Sequence, residues 1–280
     1  MKKRLILFIA IIIGVIIIYF IRLYKIDANT KNDWLQKNEI KSEWLWKIIS
    51  TGRLLSPGKS YSINVFTDSV SKEQSLRFEL RKNDYWTDMR GEKSLRVEID
   101  AKDRPPMKSE KWYRFNILLP GDFPIEDNRL VLAQWHGADK WWLTEHNRNP
   151  VLSFRFINGF FSIKLMHSSK RIIWNVEEVP SEKLFKTKDF ALDKWHDFII
   201  EAKWTYEDDG FINIWWNNEQ IVHYKGPVGY NDFRGPYFQF GIYRDSTNQT
   251  YVSYMKNILM GNSAKDVDFI FSEQKQALSK

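Results

Sequence analysis

The sequence reads as an all-β chain, an antiparallel β-sandwich set behind an N-terminal transmembrane helix. Three observations predict this. From Tyr61 onward the apolar residues alternate with polar ones, as in Leu76, Phe78 and Leu80 against Arg77, Glu79 and Arg81, which is the period of a half-buried strand. Many such segments follow at short intervals, separated by Pro120-Gly121, Asn158-Gly159, Asp209-Gly210 and Asn217-Asn218, with no long 3.6-residue period between them. At the other end, Leu5 to Ile21 is an unbroken apolar run behind Lys2, Lys3 and Arg4. Short, evenly spaced strands favour an antiparallel sandwich over a parallel α/β sheet, and this many strands predicts a jelly roll of the concanavalin A-like kind with one concave face.

The apolar run is about 17 residues long, near the lower limit for a membrane span. No small-x-small cleavage site precedes Ala28, so an uncleaved anchor is preferred to a removed signal peptide. The charges before the run, against Arg22, Lys25 and Asp27 after it, predict the N-terminus inside and the domain exported, periplasmic or extracellular. The organisation is therefore an anchor over 1–25, a stalk over 26–58 with a brief helix around Trp44-Leu45-Trp46, and a sandwich domain over 59–280. Strands are expected at 76–80, 95–99, 111–118, 130–136, 151–157, 159–166, 195–204, 211–217, 219–224, 236–244 and 251–258.

Composition narrows the function. The chain has 280 residues, a net charge of +7 and no cysteine. That excludes a disulfide framework, a thiolate metal site and a cysteine nucleophile. Five of the seven net positive charges lie in the first 25 residues, which hold no acid, leaving +2 for the rest. A near-neutral exported domain without a basic stripe argues against nucleic acid. Aromatic residues make up 16%, with 13 tryptophans, enough for a heavy aromatic core or a sugar-stacking surface.

Two strings stand out. In Gln134-Trp135-His136, alternation puts the amide and the imidazole on one face and the indole on the other. In Tyr237-Phe238-Gln239-Phe240-Gly241-Ile242-Tyr243-Arg244, Phe238, Phe240 and Ile242 form an apolar face, while Tyr237, Gln239, Gly241 and Tyr243 form a polar, aromatic one. A sheet burying the first set presents Gln, His and two Tyr together, a chemical set rather than a packing set.

With the strand Arg96-Val97-Glu98 upstream, and Trp195-His196 running through to Asn217-Asn218, the stretch from Ser75 to Ile258 resembles the superfamily of jelly-roll polysaccharide lyases that holds heparin lyase I-type and glucuronan lyases, with alginate lyases more distant. Gln239 stands where that family carries lysine, which leaves the polymer open. The resemblance implies β-elimination on an acidic, uronate-containing polysaccharide. A base removes the C5 proton, the C4–O bond breaks, and the leaving oxygen is protonated. Such a site must first neutralise the carboxylate beside C5. Arg96, with its planar fork, and the amide of Gln134 are the candidates. His136, with an intrinsic pKa of about 6.5, and Tyr243, about 10, are the candidate base and acid, and which of them takes the proton depends on the substrate epimer. Tyr237 and Gln239 are expected to contact substrate. So are Arg90, whose Arg90-Gly91-Glu92 repeats the Arg-x-Glu spacing as Arg77-Phe78-Glu79 also does, and His146, in the aromatic, basic loop after the Gln-x-His strand. His196 and His223 are expected to be structural and His167 solvated.

No cofactor is implied. No zinc-ligand spacing is present, and a structural calcium on carboxylates such as Asp208-Asp209 is left open. Two rival readings are a retaining glycosidase built on Glu98 and Asp100, which share a strand face, and a non-catalytic carbohydrate-binding sandwich using Trp215, Trp141 and Tyr237 as stacking platforms.

Overall fold

The computed structural model describes residues 9–15, 18, 31, 33–35, 37–88, 91–138, 148–173 and 179–269. Lys41–Lys280 groups as one compact unit, separate from Met1–Ile40. In the first forty residues, 9–15 are helical with Ile9, Ile11, Ile12 and Ile13 exposed. The expected span, Leu5–Ile21, falls partly outside the described residues, which cover 9–15 and 18 of it. Among the described residues no helix is long and apolar enough to cross a membrane.

The compact unit is a sandwich of two seven-stranded antiparallel sheets, with a small two-stranded sheet beside them. In spatial order the first sheet contains β1 (Arg53–Leu55), β6 (Arg96–Asp100), β15 (Tyr237–Arg244), β8 (Leu130–His136), β9 (Pro150–Ile157), β10 (Phe160–Met166) and β11 (Ser181–Thr187). The second contains β14 (Glu219–Lys225), β13 (Phe211–Trp216), β12 (His196–Lys203), β7 (Glu110–Leu118), β16 (Tyr251–Gly261), β3 (Gln74–Leu80) and β2 (Ile63–Thr67). The small sheet pairs β4 (Trp86–Thr87) with β5 (Lys93–Ser94). The Asn158-Gly159 and Asn217-Asn218 turns close the β9–β10 and β13–β14 hairpins, each with positive φ at both residues, the twist that two-residue hairpins require.

The core lies between the sheets and is largely aromatic. Trp135, the middle residue of the Gln-Trp-His string, is fully buried and stacks on Phe238 with ring centroids 4.7 Å apart. Phe115 and Tyr113 of the second sheet close on the same pair. Phe240 meets Phe78 edge to face. Burying Trp135, Phe238, Phe240 and Ile242 on this side forces their alternate neighbours, Gln134, His136, Gln239 and Tyr243, onto the outer face of the first sheet.

Residues 41–58 are no stalk. The helix α1 (Glu43–Thr51) buries Leu45, Ile48 and Ile49, an i, i+3, i+4 stripe. Ahead of it, the Lys41 and Ser42 amides donate to the side-chain oxygen of Gln74 at 2.7 and 3.0 Å. β1 follows directly and pairs with β6, Leu54 opposite Ile99. The domain thus starts at Lys41, because a stripe of three aliphatic residues needs the sheet to cover it.

Gly241 is where β15 departs from regularity. The β15–β8 register shifts between Phe240 and Tyr243, a bulge, and Gly241 adopts φ +137°. An added Cβ would lie 2.3 Å from the Val97 carbonyl oxygen and 2.9 Å from Glu98 Cα. Gly241→Ala is therefore expected to lose about 3 kcal/mol or more of stability, strain and overlap combined. Urea unfolding checks this, and a wild-type midpoint would contradict it.

Candidate active site

Three strands far apart in sequence assemble the site. β15 lies between β6 and β8, and the register sets Tyr243 opposite Arg96, Gln239 opposite both Asp100 and Gln134, and Tyr237 opposite His136. Contacts carry this across the outer face. The Arg96 guanidinium stacks over the Tyr243 ring at 4.2 Å, and its Nη1 lies 3.4 Å from the Glu98 carboxylate. Gln134 donates its Nε2–H to Glu98 Oε1 at 2.6 Å. At the other end the His136 and Tyr237 rings lie 5.3 Å apart, and the Arg104 guanidinium covers Tyr237 at 4.1 Å while gripping Asp100 with two hydrogen bonds of 2.8 and 3.1 Å. His136 and Tyr243 therefore share one sheet face. They sit six positions apart along β15, Arg96 beside the phenol and the two glutamines between.

The chemistry of each group follows from its partners. His136 Nδ1 is 2.9 Å from the Gly137 carbonyl oxygen. A carbonyl only accepts, so Nδ1 carries the proton and Nε2 is the basic nitrogen of the neutral ring. Gln134 and Gln239 are nearly sealed, at 1% and 5% exposure, which suits positioning more than broad contact. Glu98 is fully buried. Burial pushes its carboxyl above the usual range, while the Arg96 charge and the Gln134 hydrogen bond pull it down. Among the described residues nine buried side-chain polar atoms have no hydrogen-bond partner, and four belong to this patch: Arg96 Nε, Glu98 Oε2, Gln134 Oε1 and Gln239 Oε1.

Of the three Arg-x-Glu candidates, Arg96 is the one on the site strand. Arg77 and Glu79 pair with each other on β3, in the other sheet. Arg90 and His146 lie outside the described residues, as does Trp141. Of the other described histidines, one is buried, one half-buried and His223 is exposed. His196 is buried against Phe190 and bonded to Ala191 and Trp216. His223 pairs with Asn213. His167 is half-buried, not solvated, because its ring packs beside Tyr224 of β14, and burial lowers its pKa.

Sequence reasoning missed several cations on this face. Arg129, just before β8, stacks on Tyr243 at 4.5 Å and pairs with Asp245 at 2.5 Å. Arg155 stands opposite Val131, itself opposite Tyr243. Lys164 stands opposite Ser153, itself opposite Gln134. The available signal was strand parity, since Ser153 and Arg155, like Ser162 and Lys164, are the polar positions of otherwise apolar strands.

The rival readings fare worse. Glu98 and Asp100 do share a face, but Glu98 is sealed by Gln134 and Arg96, and Asp100 is held by Arg104 and by the Lys102 amide. Trp215 packs against Trp112 and Phe269 on the second sheet, away from Tyr237. Among the described residues no group of three or more His, Asp or Glu is arranged to hold a metal, and Asp209 is bonded to Lys203. Because Gln134 is the hydrogen-bond donor to buried Glu98, Gln134→Ala is expected to lose about 1–3 kcal/mol of stability. His136→Ala, at a half-exposed position, is expected to lose less than about 1 kcal/mol. Thermal melts of both variants check this, and equal losses would contradict the positioning role of Gln134.

Comparison with known proteins bears on the fold and the family. The fold resembles an endo-β-1,4-glucuronan lyase from the fungus Trichoderma reesei, with TM-score 0.60 and 14% identity over 75% of this chain and 90% of that one. It also resembles alginate lyase A1-II′ of polysaccharide lyase family 7, with TM-score 0.55 and 13% identity over 78% and 97%. Alginate lyase AlgAT5 of the same family gives TM-score 0.52 and 14% identity over 78% and 98%. No curated protein matches the sequence. The family model described as polysaccharide lyase matches residues 29–259. With most of its length covered by that model and the matching sandwich beneath, the chain belongs to the polysaccharide lyase family.

Proposed function

We propose that this lyase cleaves an acidic, uronate-containing polysaccharide by β-elimination, without a metal or cofactor. The observation that carries the proposal is the placement of Arg96, Gln134, His136 and Tyr243 on one outer sheet face. The uronate carboxylate would lie toward Arg96, which Gln134 helps to position through Glu98. The guanidinium favours the charge that builds on the carboxylate as C5 loses its proton, more than it favours the ground state. One of His136 Nε2 and the Tyr243 oxygen takes that proton. The electron pair forms the C4=C5 bond, the C4–O bond breaks, and the departing oxygen takes a proton back from that same group, because the other lies five to six residues along the strands, about 16–20 Å away. The structural neighbours named for glucuronan and alginate support a uronate as substrate, and Gln239 in place of the family's lysine leaves the choice of polymer to experiment.

Incubating the purified domain with glucuronan, alginate and glycosaminoglycan chains tests this. The unsaturated product is expected to absorb at about 232 nm with at least one of them. His136→Ala and Tyr243→Phe are each expected to lower the rate by about 100-fold or more with the melting temperature preserved. Wild-type rates in both would refute the assignment.

The same reading places the domain outside the cytoplasm on an uncleaved anchor, supported by the basic Met1–Arg4 and the apolar Leu5–Ile21. Full-length protein is expected to stay in the membrane pellet after alkaline carbonate extraction. Release of intact chain to the supernatant would count against the anchor.

A further inference from the structure

His136 is the last residue of β8, and the backbone just beyond it is held by two buried charges that the proposed mechanism does not use. The Gly137 carbonyl that fixes the imidazole tautomer and the Ala138 amide belong to one peptide unit, and in a trans peptide they point in opposite directions. On one side His136 Nδ1–H donates to that carbonyl at 2.9 Å. On the other the Ala138 N–H donates to Asp232 Oδ2 at 2.9 Å. Asp232 Oδ1 accepts from Arg148 Nε at 3.0 Å, with 1% of the arginine side chain and 3% of the aspartate side chain exposed. The carboxylate therefore reaches the imidazole through a single peptide.

Local packing leaves this linkage little slack. A Cβ added at Gly137 would lie 2.8 Å from Asp232 Oδ2, 2.9 Å from Arg148 Cβ and 2.9 Å from the Tyr230 ring. The Arg148 guanidinium sits 5.4 Å from the Tyr230 ring and also donates to the Ile173 carbonyl. Asp232 lies between β14 and β15, and Arg148 just ahead of β9, so two further connections of the sandwich converge on the end of β8. A buried ion pair is weak evidence for stability, because desolvating the two charges offsets much of their attraction. One that bonds the peptide carrying the imidazole's acceptor has a chemical use. Negative charge at the N–H end of a peptide raises electron density on its carbonyl oxygen, and chained hydrogen bonds strengthen one another where the local dielectric is low. The stronger acceptor holds the Nδ1–H tautomer and favours the imidazolium that forms when Nε2 takes a proton.

We propose that Asp232, held in place by Arg148, is a positioning residue that acts on His136 through the Gly137–Ala138 peptide, fixing the imidazole with Nε2 free for substrate and making that nitrogen a stronger base. The inference rests on the lyase reading for the proton that His136 handles, and it deepens that reading by naming the group that orients the ring. The other described groups beside the imidazole stand apart from this linkage. The Tyr237 ring faces it, Arg104 covers Tyr237 and is paired with Asp100, and Gln134 is bonded to Glu98. On the Asp232 side the Tyr230 phenol is kept neutral, burial first and the Asp232 charge second raising its pKa.

The test is magnetic resonance of the full-length protein carrying isotope-labelled histidine, alongside the cleavage assay. The chain has five histidines, and the His136 signals are those that vanish in His136→Ala. Wild type is expected to show His136 as the Nδ1–H tautomer. Asp232→Asn keeps an oxygen for the Ala138 amide and removes the charge. Asp232→Asn/Arg148→Gln also removes the cation that the single variant strands, and keeps the test decisive if the single variant fails to fold. Both are expected to gain Nε2–H tautomer, to lower the titration midpoint of His136, and to reduce kcat about tenfold with KM within about twofold. Tyr230→Phe is the packing control. Its buried hydroxyl has no hydrogen-bond partner among the described residues, so tautomer, midpoint and kcat are expected to stay at wild-type values. A folded Asp232 variant with wild-type His136 signals would overturn the proposal, even if cleavage were slow. Shifted signals with unchanged kcat in a cleaving protein would overturn the positioning role and leave the lyase reading standing. Shifted signals in a protein that cleaves no uronate polymer would uphold the linkage and overturn the lyase reading.

Discussion

Antiparallel pairing of β15 with β6 on one side and β8 on the other is the constraint from which the rest of this structure follows. It brings Arg96, Gln134, His136 and Tyr243 from three remote segments onto one sheet face, Arg96 against Tyr243 at one end and His136 against Tyr237 at the other, and it turns Trp135, Phe238 and Phe240 the opposite way into the core. A shift of one residue in either pairing would exchange the two sets, sealing the imidazole and the phenol under the second sheet and exposing the tryptophan. The aromatic core therefore does more than stabilise the domain. Trp135 stacked on Phe238 holds the register that makes the outer face chemical.

Below that face lies a layer of buried polar groups. Glu98 ties Gln134 to Arg96, so the guanidinium proposed to meet a uronate carboxylate is fixed by the amide through a third group that does not itself reach solvent. Burial raises the cost of charge on Glu98, and the two partners offset part of it. Preorganised donors of this kind lower a barrier because they need not reorient as negative charge develops. The bulge at Gly241 serves the same end, keeping β15 paired with β6 where the strand must break step with β8.

Much of this was legible in the sequence, for a physical reason. Where a strand is buried on one face, its apolar period is visible, and the expected strands 111–118, 130–136 and 211–217 coincide with β7, β8 and β13 to within a residue. The pairing of Gln134 with His136, and of the apolar with the polar face of the Tyr237–Arg244 string, could be read from parity alone. β11 could not. It lies at the sheet edge, its lysines hide the alternation, and a register shift against β10 leaves Leu184 and Phe185 adjacent. The brief helix around Trp44-Leu45-Trp46 was legible and is α1, whereas the three-residue β1 carries too little pattern to show that 41–58 is continuous with the sandwich. Which of three Arg-x-Glu strings serves the site was likewise a question of strand neighbours. Arg155 and Lys164 were overlooked because an isolated cation in a strand has no meaning until its cross-strand partners are known.

Breaking a glycosidic bond by elimination adds no water, whereas hydrolysis adds one molecule per bond, and that difference tests the proposed chemistry most directly. Mass spectrometry of the fragments released from a defined oligouronate is expected to give two masses that sum to the parent, with one fragment unsaturated at its new end. Fragments that sum to the parent plus one water would contradict removal of the C5 proton on this sheet face.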